Sequence, residues 1–530
     1  MRLLIVGYNF LPYGCDQDFL LPPDARDWLP VGHLSWAVID AVDELDLSAF
    51  LAHYRSDGQG RPAYHPKMMT SLVLYCYCKG IRSSRAVEMA CLDDVGCRVI
   101  TGNQAVDHAT VARFVRWHRD ALTGLFVQVL AVCAREGLVT VDLVAGDGTK
   151  VKASASKAAS RTLEELDVSI EELQKALEAE VSAWWRQADL LDDQDGCEPA
   201  AADAACGVPA VAGTRKRTAD RLARAEQARE MLTQRHGDTS SAVTALEQAR
   251  QRAARAARRL AEETAAHQEK LDRYQASQQA KAEGSGGRAG RPAKPMDQAA
   301  KVCAARAEQE RAAAALQRAL ADPNKGNVPK GNTTDPHCRI MPAKTGGCMC
   351  ARNLQALAND RQVILALLLH DNPIDVGALH PLLKAGRANL DAIGVTRPIG
   401  RALFDAGYAS EANFTAGCEA SLLVAVHNEA ATCGRDQASG KTVPAAWAGM
   451  ADTMSTPEAK EAYKKRQAII EPVFGQLFER MGRNLNYRGE MAHTELHLWG
   501  TTHNLLKCLR SRQRIQSGPA TVQAPARSAA

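Results

Sequence analysis

The fold turns on one stretch: Leu138-Val139-Thr140-Val141-Asp142-Leu143-Val144-Ala145-Gly146-Asp147-Gly148. Val139, Val141, Leu143 and Val144 make a short apolar run rich in β-branched residues, and glycines bracket Asp147. Such a run reads as a strand over residues 138–145 that delivers an acidic side chain at its tip. What precedes it reads mainly as helix, so a sheet starts here.

C-terminal to this stretch, strand patterns return only after a long gap. Residues 339–341, 348–357 and 362–369 resemble a meander, and Asn372-Pro373 breaks it. Residues 376–383 look helical. Leu403-Phe404-Asp405 ends another strand, and residues 422–426 form one more. Residues 463–481 predict a strong amphipathic helix with Ile469, Ile470, Val473, Phe474, Leu477 and Phe478 as its apolar stripe. Residues 496–509 predict a second helix. The tail from Ser511 is polar and rich in Pro and Ala, the composition of a disordered segment.

N-terminal to the strand, residues 1 to about 60 mix turns with short helices. Leu20-Leu21-Pro22-Pro23 and Trp28-Leu29-Pro30 break the backbone, and Val38, Ile39, Val42 and Leu45 then recur at helical spacing. Residues 65–138 are compactly helical. An apolar helix over 68–78 ends near Gly80, Ser83 or Ser84 caps the next, and Asp107 opens a third. Helix, short turn, helix is the outline of a helix-turn-helix module. Arg82, Arg85, Arg98, Arg113, Arg116 and Arg119 supply cations for phosphates. An all-helical scaffold with a solvated basic face satisfies the same pattern, so both readings stay open.

Between the strand patterns lies a region of different composition, residues 158–330. Residues 161–198 hold 12 Asp/Glu against 3 Lys/Arg, whereas 215–281 hold 15 Lys/Arg against 9 Asp/Glu. Leu246, Ala253, Leu260 and Tyr274 lie on a heptad frame with Ala249 and Ala256 between them. An acidic helix followed by a basic one predicts an antiparallel helical hairpin. Gly284-Ser285-Gly286-Gly287 and residues 290–295 read as a flexible basic loop. A solvated, charge-laced spacer is the favoured reading of this insert, with DNA contact as the other.

At 530 residues the chain has room for several domains, and its net charge of +4 does not by itself call for a nucleic-acid partner. Segregation of the charges matters more than their sum. No secretory signal is legible, so the 15 cysteines read as reduced thiols of a cytosolic protein. Cys348-Met349-Cys350 with His337 and Cys338 offers a zinc reading, although the spacing is not the usual C-x-x-C type. No apolar run is long enough to span a bilayer.

Three carboxylates stand where phosphoryl-transfer chemistry would want them. Asp147 and Asp405 each follow a strand, and Glu471 lies beside Ile470 and Pro472 in an apolar helical stretch. A charge in such a setting is costly unless paired or metal-bound. Two strand-tip aspartates and a helix glutamate make a ligand set for two Mg²⁺ ions, with Mn²⁺ as the substitute. Each also has a plain alternative: Asp147-Gly148 as a turn, Asp405 as a strand cap, Glu471 paired with Arg466 or Lys465.

The chain resembles bacterial insertion-sequence DDE transposases with an InsH-type N-terminal domain, in the branch with a long helical insert. The resemblance is carried, in order, by Asp16-Gln17, Phe19-Leu20-Leu21-Pro22-Pro23 and Trp28-Leu29-Pro30. Arg61-Pro62-Ala63-Tyr64-His65-Pro66, Gly80-Ile81-Arg82-Ser83-Ser84-Arg85, Gly102-Asn103-Gln104 and Asp107-His108 follow. Asp147-Gly148-Thr149-Lys150 is similar to the first catalytic motif, and Thr334-Asp335-Pro336 to the re-entry after the insert. Asp405-Ala406-Gly407-Tyr408 is similar to the second motif. Tyr463 with Glu471-Pro472-Val473-Phe474-Gly475-Gln476 is similar to the third, and His503-Asn504-Leu505 to the closing helix. In two places the chain departs from relatives. Gln467 replaces a basic residue four before the glutamate, with Arg466 one position earlier. Phe478 replaces a lysine seven after it, with Arg480 nearby.

The resemblance implies an α+β multidomain protein. Residues 1–137 form an all-α DNA-binding domain, 138–157 with 331–510 an RNase-H-like mixed-sheet catalytic domain, 158–330 the helical insert and 511–530 the tail. It implies metal-dependent strand transfer at Asp147, Asp405 and Glu471 on double-stranded DNA, namely terminal inverted repeats and target DNA, by a homodimer at the nucleoid. Arg82, Arg85, Arg113, Arg116, Lys150, Lys152 and Arg466 are the expected DNA contacts. A nuclease of the same fold and an inactive DNA-binding remnant are the competing readings.

Overall fold

The computed structural model describes residues 25–54, 62–192, 208–238, 245–282, 294–321, 329–343, 346–426 and 445–517. Asp16, Gln17, Phe19–Pro23 as quoted above, Arg61, the Gly284–Gly287 loop and residues 518–530 of the tail lie outside them, as do the side chains of Leu246 and Ala249. The chain divides into two compact units: residues 1–157 with 337–530, and residues 158–336.

The first unit opens with helices α1 (Leu34–Asp43), α2 (Ser48–Leu51), α3 (Pro66–Cys78), α4 (Ser84–Asp93), α5 (Val95–Ile100), α6 (His108–Trp117) and α7 (Arg119–Arg135). Side-chain caps set several of their starts. Ser83 Oγ accepts from Ala86 N at 3.2 Å and Asp107 Oδ1 from Thr110 N at 2.9 Å, each satisfying one of the first-turn N–H groups. Met89 and Leu92 are about half exposed on α4. Arg119 does not extend α6, because the helix ends at Trp117 and a new one begins at Arg119.

Strand β1 (Leu143–Lys152) follows. It starts and ends later than the apolar run indicated, so Asp147 sits mid-strand and not at a tip. Residues 351–359, part of a later strand, run antiparallel beside it from Val144 to Lys152, and that ladder extends the strand through Gly146-Asp147-Gly148.

The second unit is helical. Strand β2 (Ser160–Arg161) leads into α8 (Leu163–Asp192), α9 (Val208–Asp238), α10 (Ala245–Ala282) and α11 (Ala300–Ala321), and β3 (Gly331–Asn332) pairs back on β2. The expected hairpin is doubled. Leu166 packs with Ala228 and Leu232 while Thr218 donates 2.9 Å to Glu180, so α8 and α9 run antiparallel. Arg259 bonds Glu308 at 2.8 Å and His267 bonds Lys294 O at 2.8 Å, which gives α10 and the chain around α11 the same sense. Acidic α8 meets basic α9 in the Arg229–Asp167 ion pair.

Back in the first unit come β4 (Arg339–Pro342), β5 (Cys348–Asn359), β6 (Ile364–His370), α12 (Leu379–Ala392), β7 (Arg401–Phe404), α13 (Glu411–Thr415) and β8 (Ser421–Val424). Three helices close the chain: α14 (Ala445–Ser455), α15 (Pro457–Met481) and α16 (Met491–Ser517). The sheet is mixed. β6, β5 and β1 are antiparallel neighbours, β4 extends the free edge of β5, and β1, β7 and β8 are parallel.

Side-chain alternation divides the sheet into two faces. Ala145, Val151, Leu354, Ala356, Leu403 and Leu423 face a core shared with α1, α3, α7, α15 and α16. Val144, Leu357, Ala402, Phe404 and Val424 face a second core, with Leu379, Leu382 and Leu390 of α12. The N-terminal helices therefore do not fold around a core of their own. Val38, Leu72, Tyr75 and Phe126 belong to the same apolar cluster as the sheet.

Candidate active site

Asp147 and Asp405, 258 residues apart (405 − 147), are brought to one place by strand register. Ala145 pairs with Leu403 in parallel, so the two positions that follow each of them bring Asp147 level with Asp405. β7 ends at Phe404, whereas β1 runs on beside β5. The two carboxyls thus meet beyond the carboxyl end of a parallel strand, where open sheets of this kind place their ligands. Each is held by its own backbone: Asp147 Oδ1 accepts from Gly148 N at 2.8 Å and Asp405 Oδ1 from Gly407 N at 2.9 Å.

A third carboxyl, Asp375, joins them from the loop after β6. Its Oδ1 accepts from Asn353 Nδ2 and Gln355 Nε2, both at 2.7 Å, and Gln355 Oε1 takes the phenol of Tyr408. Asn353, Gln355 and Tyr408 are buried. This network lies against Gly148: a Cβ there would sit 2.3 Å from Gln355 Nε2 and 2.4 Å from Asp375 Oδ1. Only glycine leaves room, so the Asp-Gly pair carries a packing requirement beyond a turn.

Helix α15 covers the other side. Thr456 caps it, accepting from Ala459 N at 3.3 Å. Tyr463 donates to Phe404 O at 3.1 Å, beside Asp405, and Arg466 Nη1 stands 3.4 Å from Asp147 Oδ2. Burial pushes the Asp147 carboxyl up to about 6. The Gly148 N–H opposes this, Asp405 adds to it, and Arg466 lowers it while Asp375 raises it. Burial also pushes the Tyr408 phenol well up, so it stays a donor.

Glu471 is placed differently from its neighbours in sequence. Ile469, Ile470, Val473 and Phe474 are buried, but Glu471 is exposed on α15, off the apolar face. The desolvation cost that singled it out therefore does not arise. Pro472 follows it inside the helix and has no N–H for the carbonyl of Ala468, four residues back. Gln362 Nε2, from the turn between β5 and β6, donates to that carbonyl at 3.1 Å and sews α15 to the sheet.

The remaining expected contacts scatter. Arg82, half-buried, is held by its ion pair with Glu495 at 2.8 Å, its bond to Asn484 O and the Trp499 ring 5.2 Å away, so it braces the fold. Arg85, Arg113 and Arg116 are exposed, Arg113 lying over the Trp117 ring. Lys150 and Lys152 lie on β1, half-buried and exposed. Arg119 bonds Glu490 at 2.6 Å.

Three carboxyls against one guanidinium make a hard-oxygen, anion-rich site that suits a divalent cation in donor chemistry. Among the described residues, no three His, Cys, Asp or Glu side chains gather closely enough to hold an ion. Cys338 and Cys350 are buried in an apolar cluster with Ala153. Sequence reading passed over Asp375, Asn353 and Gln355. The loop residue has no periodicity to mark it, and the amides left one signal, polar side chains within an apolar strand.

Among the described residues, no helix is long and apolar enough to cross a membrane. Comparison with curated proteins and with solved structures found no match. Residues 23–117, spanning α1 to α6, match the family described as Transposase domain (DUF772), which supports a transposase family and an enzyme acting on DNA.

Proposed function

We propose that the chain is a DDE-type DNA transposase whose Asp147, Asp405 and Glu471 hold two Mg²⁺ ions, or Mn²⁺, for cleavage at element ends and transfer of the 3′-hydroxyl to target DNA. The observation that carries this reading is the meeting of Asp147 and Asp405 at the point where an antiparallel sheet becomes parallel. Three antiparallel strands followed by two parallel ones, with helices on both faces, support the reading of an RNase-H-like core. The bound ions supply charge for the attacking and leaving oxygens. Asp147 and Asp405 fix where that charge sits. Arg466, next to Asp147, bears on the phosphate, with Lys150 and Lys152 further along β1. Arg85, Arg113 and Arg116 face outward for duplex contact, while Arg82 holds the shape of that surface. Terminal inverted repeats are the substrate, a homodimer at the nucleoid the working form.

Two observations favour a second reading, an inactive DNA-binding remnant: Glu471 is exposed, and Arg466 stands against Asp147. A nicking assay on supercoiled plasmid, titrated with Mg²⁺ and Mn²⁺, separates the two. An active transposase nicks in a metal-dependent way and Asp405→Asn abolishes it. Binding without nicking at any metal concentration would leave the remnant.

A further inference from the structure

The turn between α15 and α16, residues 482–490, is drawn onto the end of β1. Lys152 N donates to Arg483 O and Leu485 N to Lys152 O, both at 2.8 Å, and Arg488 Nε donates 2.6 Å to Ser154 O. With α6 alongside, this turn closes an open cleft of about 270 Å³ lined by Arg116, Ser154, Asn486, Tyr487 and Arg488 between the apolar Ala112 and Met491. None of these lining residues is acidic. Burial pushes the Tyr487 phenol up to about 12, so it keeps its proton. The cleft thus presents two guanidiniums, a phenol and an amide, a set dominated by donors.

We infer that this cleft grips a backbone phosphate of duplex DNA. Guanidinium donors match the acceptor-only oxygens of a phosphodiester. The cleft is smaller than the ~300–1,000 Å³ of ordinary small-molecule pockets, and it is open. That shape admits a point on a continuous polyanion better than an enclosed metabolite. One wall, Arg116 of α6, belongs to the segment that matches the transposase domain. The other, Arg488, is anchored to Ser154, just past the end of the strand that carries Asp147. The inference rests on the reading of DNA as the partner and adds Asn486, Tyr487 and Arg488 to the surface that holds it.

The test is a metal-free anisotropy titration of the full chain with a labelled duplex of mixed sequence at several salt concentrations. Variants are Arg116→Gln, Arg488→Gln and, as a control, Arg401→Gln at the exposed start of β7. Each cleft variant should weaken binding about fivefold at ~0.15 M salt and flatten the salt slope by ~0.9, the worth of one released counterion. The control should bind as wild type. Arg488 also anchors Ser154, so if Arg488→Gln fails to fold, exposed Arg116 decides alone. Unchanged affinity and slope in Arg116→Gln, or an equal loss in the control, overturns the inference. Inorganic phosphate that binds calorimetrically in a chain whose DNA affinity ignores both substitutions makes the cleft a free-phosphate site and overturns it too. The titration needs no strand cleavage. A chain that binds as expected but never nicks retires the catalytic reading alone, and one that nicks with unaltered binding in Arg116→Gln retires the cleft alone.

Discussion

Arg466 Nη1 stands 3.4 Å from Asp147 Oδ2, yet the Asp147 carboxyl titrates near 6 and not below its ordinary 3.8. Burial outweighs the adjacent cation, so the folded state prefers this carboxyl protonated.

The sign of the resulting pH dependence is fixed. Between pH 3.8 and about 6 the folded chain binds more protons at Asp147 than the unfolded chain does. Stability is lost as pH rises through that window, and the full cost, about 2–3 kcal/mol, stands above it. Asp147→Asn should therefore unfold at higher denaturant concentration than wild type at about pH 8 and at nearly the same concentration at about pH 4. Comparing the pair cancels buried histidines such as His118 and His503, which are held down to about 4 and lose stability as pH falls. A difference that does not grow with pH would show that the carboxylate is not penalised.

Glu471→Gln keeps shape and hydrogen bonding but removes the charge that binds a cation. If Glu471 is a ligand, nicking should fall ~100-fold or more, while duplex binding persists. Because the side chain is exposed, stability should move by no more than ~0.5 kcal/mol. Wild-type nicking in this variant, with loss in Asp375→Asn, would transfer the third role to the carboxyl already at the site.

Gly148→Ala should cost about 1–3 kcal/mol, the penalty of overpacking, because Gln355 and Asp375 are pinned to each other and neither can retreat cheaply. Chemical denaturation measures it. A cost under ~0.5 kcal/mol would mean that the amide–carboxyl network gives way easily.

Gln362→Ala should cost about 0.5–1.5 kcal/mol by removing its bonds to the Ala468 carbonyl and to the Lys507 ammonium, which donates to Gln362 Oε1 at 2.7 Å. Pro472→Ala restores a backbone donor for that carbonyl. In a double-mutant cycle the two substitutions should be non-additive, with Gln362→Ala milder when alanine occupies position 472. Strict additivity would separate the glutamine from the proline.

Most of the architecture was legible because its elements obey local rules. Ser83 and Asp107 are caps in sequence and in space, and the meander of residues 339–369 appears as β4, β5 and β6. The reach of β1 was not legible. Gly146, Asp147 and Gly148 have poor strand propensity, and only pairing with β5, about 200 residues on, extends the strand through them. Asp147 and Asp405 stand out in the sequence because apolar strand patterns lead to them. Asp375 was missed because its place is set by Asn353 and Gln355, a tertiary relation with no periodic trace. Glu471 was placed among apolar neighbours by proximity in sequence, whereas helical rotation carries it off their face.

The pairing of Ser160-Arg161 with Gly331-Asn332 bears on how the chain is made. β1 emerges from the ribosome 199 residues (351 − 152) before Ala351, its partner at Lys152. At ~5–20 residues per second it waits about 10–40 s with both edges bare. A bare strand is an aggregation hazard. The four helices synthesised in that interval close on themselves, and β2 and β3 tie their ends together. With β2 and β3 paired, the stretch between β1 and β5 is not a random loop of nearly two hundred residues, whose closure costs entropy. The β2–β3 pairing thus shortens the loop whose closure brings β5 to β1.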